Sequence, residues 1–173
     1  VARMAVREIV LYGNPVLRRK AGEVEAFDAS LAELVDDMIE TMQDANGIGL
    51  AAPQIGISKK LCVVDLGLIE EGKPPQAFIN PEIVEEFGDE VSMEEGCLSI
   101  PGIAEDVFRQ EAIKVVYQDL TGKEHKMQCT ELLARVLQHE IDHLHGIFFT
   151  DRLGPLKRKM LSKKLKEIAQ DAK

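Results

Sequence analysis

His139, Glu140 and His143 stand in "QHEIDH", two histidines four apart with a glutamate beside the first. On a helix, positions i and i+4 share one face a turn apart, so both imidazoles can ligate one ion. Glu140 then lies within reach of a water at that ion and is placed to act as a general base. The pattern suggests a metal hydrolase; the bland alternative is a coincidental match on a surface helix. What completes the coordination decides between them.

A metzincin takes its third histidine six positions after the second, and Phe149 stands there. His145 points away from the face of the pair and reads as a solvated or capping histidine. Glu167, a gluzincin-like candidate, sits among lysines beside Ile168 and reads as solvated. His125 lies in a polar turn region with no partner at ligand spacing. Cys62, inside "LCVVDL", reads as a small buried thiol. Cys129 precedes the histidine helix and is roughly 13–15 Å from His139 at 1.5 Å rise per residue. Cys97 sits in "EEGCLSIPG", where Gly96 and Pro101-Gly102 shape a backbone that could aim a thiol. It is either a core cysteine at a strand end or the third ligand. In the second case Cys97, His139 and His143 leave an open fourth position, the pattern of a catalytic site.

"GIGLAA", Gly47 to Ala52, matches the dinucleotide pattern G-x-G-x-x-A. That fingerprint needs a strand before it and a helix after it. Here a helix precedes and a strand follows, so it is rejected. The segment is either a tight helix-to-strand connection or part of a site in which the Gln54 amide donates to a developing oxyanion.

These residues need elements to hold them. "SLAELVDDMIETMQDA" is the first clear helix: Ser30 with Glu33 forms a capping box, Leu31, Leu34, Val35, Met38, Ile39 and Met42 form one apolar stripe, and Asn46-Gly47 ends it. "KLCVVDL", "AFINP", "EIVEEF" and "AIKVVYQD" read as strands. Thr130 caps a second helix that carries the histidines to Gly146. A third follows Pro155, with Leu156, Met160, Leu161, Leu165 and Ile168 on one side. Strands gathered between helices without β-α-β alternation predict an α+β fold.

At 173 residues, 45% hydrophobic and 29% charged, the chain fits one soluble domain spanning 1–173. It has no apolar run of about 20 residues, and its N-terminus lacks the features of a signal peptide. Met4 is a candidate natural start, with Val1-Ala2-Arg3 as a leader. Three cysteines do not suggest a disulfide framework. The net charge of −9 argues against a nucleic-acid wrapper, but residues 156–173 carry seven basic and two acidic side chains, +5, leaving −14 elsewhere.

"GIGLAAPQ", "EGCLS" and "QHEIDH", in this order and spacing, resemble the peptide deformylases, and the likeness runs from "LYGNPVLRRKA" to "LGPLKRK". Those metal hydrolases remove the N-formyl group from the initiator methionine of new polypeptides. The family's fold is α+β, with antiparallel sheets packed around a central metal-binding helix, here between an N-terminal and a C-terminal helix. The resemblance implies Cys97, His139 and His143 as metal ligands and Glu140 as base. It implies the Gln54 amide and the backbone N–H of Leu98 as oxyanion donors. Leu132 and Val136 lie seven and three residues before His139, on the metal-facing side, and suit the wall of a methionine pocket. Family position adds Ile48, Met93 and Arg135 to that pocket, and Gly49 and the Glu95-Gly96 backbone to the peptide groove.

The ligand types alone favour zinc. The family implies Fe²⁺ in the cell, with Zn²⁺ or Ni²⁺ substituting, and hence oxygen-sensitive activity with oxidation at Cys97. Its partners are N-formyl-methionyl nascent peptides and, through the basic C-terminal helix, the ribosome. Neither a membrane nor DNA is expected, and the chain reads as a monomer of the bacterial cytoplasm. The short "PGIAEDVFRQE" and the basic helical tail fit the bacterial type, while Pro53 is a position expected to vary. The competing readings are a general zinc peptidase and an inactive metal-binding relative.

Overall fold

A computed structural model of the chain describes residues 5–172; the candidate start at Met4 and the leader before it lie outside the described residues. Helix α1, Ala29–Asp44, buries Leu31, Leu34, Val35, Met38 and Met42 at helical spacing. Its cap is Asp28, whose carboxylate accepts from the Leu31 N–H at 3.1 Å. This corrects the capping box expected from Ser30 and Glu33: Ser30 lies inside the first turn, and the stronger acceptor takes the end. Asn46, with φ of 57°, supplies the left-handed residue that ends the helix.

Five strands follow: β1 (Gly49–Ala51), β2 (Leu61–Val64), β3 (Gln76–Cys97), β4 (Ile100–Gln118) and β5 (Glu124–Thr130). They pair in chain order and antiparallel throughout, as one sheet. β2 shows how the sheet is covered. Leu61 and Val63 pack with α1, and Cys62 and Val64 pack with the second helix on the opposite face. With both faces buried, the strand loses polar alternation and reads as a continuous apolar run.

"AFINP" and "EIVEEF" prove to be parts of the single strand β3. Pro81 falls where the register shifts between Ile79 and Glu82, a bulge position that tolerates a residue without an N–H. Four such shifts interrupt the β3–β4 pairing, and each bulge bends the pair. β4 begins well before "AIKVVYQD", since its first half is a charged arm of the hairpin with little apolar alternation. His125 lies on β5 rather than in a turn. Its Nε2 is 2.7 Å from Asp119, and its ring stacks on Tyr117.

Helix α2, Glu131–Leu144, starts at Thr130 and is buried from Ala134 onward. Helix α3, Pro155–Asp171, buries only Leu161 and Leu165, with Ile168 partly covered. Leu156 and Met160 are exposed, contrary to the expected stripe. At 3.6 residues per turn they lie roughly 80–180° round the helix from the other three. Among the described residues no helix is long and apolar enough to cross a membrane.

Burying α2 buries Arg135, Gln138, His139, Glu140, Asp142 and His143 with it, and buried polar groups need partners. Glu95, near the end of β3, supplies those of Arg135 and His139. Its carboxylate accepts from Arg109 Nε at 2.7 Å and Nη2 at 3.0 Å, and from Arg135 Nη1 at 2.7 Å. Arg109 also reaches Asp142 at 2.8 Å, and Arg152 holds the same carboxylate at 2.6 and 2.7 Å. The hairpin and the helix are thus joined by one buried ionic network. Removing one member leaves charges buried without partners, so Glu95→Ala is expected to lower unfolding free energy by about 3–5 kcal/mol in urea titrations followed by circular dichroism. A loss below about 1 kcal/mol, the size seen for surface pairs, would show that the network is dispensable.

Candidate metal centre

β3 and β4 are joined by the two residues Leu98 and Ser99, with Cys97 paired to Ile100. The next pair back is Gly96 with Ala104, so Pro101-Gly102-Ile103 bulges out, and Gly102 takes φ of 78°. That turn carries the Cys97 thiol over α2. The donor atoms of Cys97, His139 and His143 lie within 4.8 Å of one another, and Cys97 Sγ is 3.4 Å from His143 Nε2. Tetrahedral bonds of roughly 2.0–2.3 Å place donor atoms roughly 3.3–3.8 Å apart, so the three fit one ion. Cys62, Cys129, His125, His145 and Glu167 are not in this group.

His139 Nδ1 is 2.8 Å from Glu95 Oε1, which leaves Nε2 for an ion. Burial pushes the Glu95 carboxyl up, but His139 and Arg109 outweigh it and hold it at about 2. Burial pushes the His139 imidazole down, yet bonds to Cys97 and Glu95 and the charge of Glu140 lift it to about 10. His143 is driven well down, by burial first and by His139 second. The site therefore favours positive charge at His139, and a thiolate with two imidazoles suits a borderline-soft divalent cation such as zinc or iron. A cation displaces that proton when it binds.

Glu140 is nearly buried, and burial raises its carboxyl to about 7 against the pull of His139. Its Oε1 has no hydrogen-bond partner among the described residues, as suits a carboxylate free to take a proton from water. Gly49 explains its placement. A Cβ there would lie 2.6 Å from Glu140 Oε2 and 2.9 Å from Cγ, so only glycine admits the carboxylate.

Gln54 is buried in a short 3₁₀ helix, Ala52–Ile55. Its Oε1 accepts from the Ala51 N–H at 2.9 Å, and its Nε2 lies 3.5 Å from Cys97 Sγ and 3.2 Å from Ser99 Oγ. Next to these groups opens a cleft of about 510 Å³, within the range of small-ligand sites. Ile48, Met93, Leu132 and Val136 line it, and so do Gly49, Gly96 and Leu98. Arg135 and Glu95 also border it, and their side chains have partners of their own. The Arg135 guanidinium is taken by Glu95 and by the carbonyls of Val107 and Val91, and Glu95 acts through its side chain.

Sequence reasoning missed the Glu95 carboxylate, Arg109, Asp142 and Ser99. Arg109 lies in no motif, while Asp142 and Ser99 stand inside "QHEIDH" and "EGCLS" at places to which ligand spacing gives no role.

A family model described as polypeptide deformylase matches residues 6–159. A peptide deformylase of Thermodesulfovibrio yellowstonii is 48% identical over 163 residues, covering 94% of this chain and 98% of that relative. The crystal structure of the peptide deformylase from Thermus thermophilus superposes with a TM-score of 0.89 at 43% identity, covering 97% of this chain and 100% of the other. One from Legionella pneumophila gives 0.87 at 46%, covering 96% of each. The cysteine and the two histidines are therefore one part of a likeness that extends over nearly the whole chain, which belongs to the polypeptide deformylase family.

Proposed function

We propose that this chain, as one catalytic domain, removes the N-formyl group from the N-terminal formyl-methionine of newly made polypeptides and releases formate. The observation that carries this reading is the Cys97 thiol meeting His139 and His143 beside an apolar cleft, with Glu140 at its edge. A divalent ion held by these three residues supplies Lewis acidity, making water more acidic and polarising a carbonyl.

Glu140 takes a proton from water as its oxygen attacks the formyl carbon. The Gln54 amide and the Leu98 backbone N–H donate to the oxygen that becomes negative. The carbon–nitrogen bond then breaks, and Glu140 returns the proton to the departing amine. A carboxyl near 7 suits both transfers, since base and acid forms are each accessible near neutral pH. Ile48, Met93, Leu132 and Val136 receive the methionine side chain. Gly49 and the Glu95-Gly96 backbone flank the peptide, and Arg135 braces the pocket wall.

A general zinc peptidase is not favoured, because the third ligand position falls to Cys97 and the relatives are named deformylases. An inactive relative is not favoured either, because Glu140 and Gln54 are both present beside the ligands. We further propose Fe²⁺ as the resident ion, with Zn²⁺ or Ni²⁺ able to replace it, and a monomer working in the bacterial cytoplasm. The basic face of α3 supports a ribosome contact, since Lys163, Lys164 and Lys166 are exposed.

Metal-loaded protein is expected to release formate from formyl-Met-Ala-Ser, and Glu140→Ala to lose at least about 10²-fold of that rate; equal formate from the variant would refute the assignment. Protein purified without oxygen is expected to contain iron and to lose activity in air with oxygen added at Cys97, read by mass spectrometry. Full activity in air with iron bound would count against Fe²⁺ as the ion exposed at this thiolate. Because Leu161 and Leu165 anchor α3, the tail is better tested by charge removal than by truncation. Lys163→Gln, Lys164→Gln and Lys166→Gln together should weaken salt-dependent cosedimentation with ribosomes, while free protein sediments at the 19.2 kDa of one chain. Unchanged cosedimentation would end the docking reading.

A further inference from the structure

Ser99 has no exposed surface, although it sits in a turn between Leu98 and Ile100, which line the cleft. Its Oγ lies 3.2 Å from Gln54 Nε2. The Ala51 N–H, bonded to Gln54 Oε1, fixes which end of the amide is which, since a reversed amide would set donor against donor. The amide nitrogen carries two hydrogens. One is met by Ser99. The other is directed at Cys97 Sγ, 3.5 Å away, an ordinary distance for a weak sulfur acceptor.

The two backbones involved are tied by one strap. The Val10 N–H donates to the Gln54 carbonyl at 2.8 Å, and the Tyr12 N–H donates to the Ser99 carbonyl at 2.8 Å. Ser99 and Gln54 therefore face each other from fixed positions, and the hydroxyl is the adjustable part.

We propose that Ser99 is a positioning residue for the oxyanion donor: its hydroxyl engages one amide hydrogen of Gln54 and so aims the other at the formyl oxygen. This rests on the reading of Gln54 as that donor. Ser99 touches no reacting atom. Without the hydroxyl, one buried N–H of Gln54 has no acceptor, and the amide turns toward the Cys97 sulfur to find one. The donor is then withdrawn from the transition state while the cleft walls stay as they were. Such a loss appears in kcat and leaves KM unchanged.

The test is a double-mutant cycle on the metal-loaded enzyme with formyl-Met-Ala-Ser, comparing wild type, Ser99→Ala, Gln54→Ala and the double variant. Complete loss of an oxyanion donor costs about 10²–10³ in kcat, and a misaimed one is expected to cost about tenfold, with KM held within about twofold. In the Gln54→Ala background, Ser99→Ala should cost less than about twofold further. A Ser99→Ala variant with wild-type kcat overturns the proposal. So does a full tenfold loss repeated on Gln54→Ala, since the serine then acts by another route. If Gln54→Ala itself keeps wild-type kcat, the donor assignment fails and takes this inference with it. Cobalt-loaded protein gives a readout apart from turnover. Its thiolate-to-cobalt charge-transfer band should shift in Ser99→Ala, because the amide that leaves the serine closes on Cys97 Sγ, and an unmoved band would overturn the proposal.

Discussion

The carboxylate of Glu95 is the fixed point from which the rest of this site is built. It is buried, and a buried charge without partners costs several kcal/mol. Both its oxygens are taken, one by His139 and Arg109, the other by Arg109 and Arg135. Each partner serves a different part of the structure. His139 has its Nδ1 occupied, so its other nitrogen is the one presented to an ion. Arg135 extends the tie to the carbonyls of Val91 and Val107, one on each strand of the hairpin. Arg109 extends it to Asp142, three residues after His139 on the same helix. One turn of α2 is thus held at both ends by groups that all refer back to β3.

That arrangement explains why so much of the β3–β4 hairpin can be exposed. Its arms carry Glu90, Glu94 and Asp106 outward and bury little, and the bulges in its register would leave a free hairpin poorly defined. The ends are held instead by chemistry. At one side stands the ionic network, and at the other the strap from Val10 and Tyr12 to the Gln54 and Ser99 carbonyls. Cys97 lies between them. The thiol is aimed by two anchored neighbours, which a flexible turn alone could not do.

The sequence made some of this legible and hid the rest for physical reasons. The helix with its two histidines, the stripe of α1 and the apolar run of β2 are local patterns set by period and composition, and each was readable. Cys97 could be reached by excluding other candidates, because ligand chemistry allows few residue types. The hairpin arms were not readable as strands, since bulges break the period-two signal and both faces carry charge. The cap at Asp28 was displaced by a plausible box two residues later. Leu156 and Met160 were assigned to a stripe by their type, although their angles around α3 put them elsewhere. Glu95 was expected through its backbone, because nothing local says that a glutamate before Gly-Cys will be buried with two arginines from distant segments. A role that depends on contacts across 14 and 40 residues has no local signature.

The same burial that makes Glu95 expensive is what makes Glu140 useful. Burial is the largest influence on both carboxyls and pushes both upward. Glu95 meets two guanidiniums and an imidazole and ends at about 2. Glu140 has His139 pulling it down, but Glu95 and Asp142 oppose that, and it ends at about 7. Two carboxylates around one histidine are thereby separated into a permanent anion and a group that can exchange a proton near neutral pH. The separation depends on giving Glu140 no guanidinium bond, so that Arg109 lowers it only through space, while leaving it room. Gly49 provides the room, since any Cβ would meet the carboxylate, and the arginines are already committed to Glu95 and Asp142. A third glutamate ligand in place of Cys97 would add another negative charge next to Glu140 and push its carboxyl still higher. A thiolate carries the same charge, but on a larger and softer atom that transfers more of it to a borderline-soft ion. On the proposed reading, a cysteine as third ligand would leave Glu140 free to move protons.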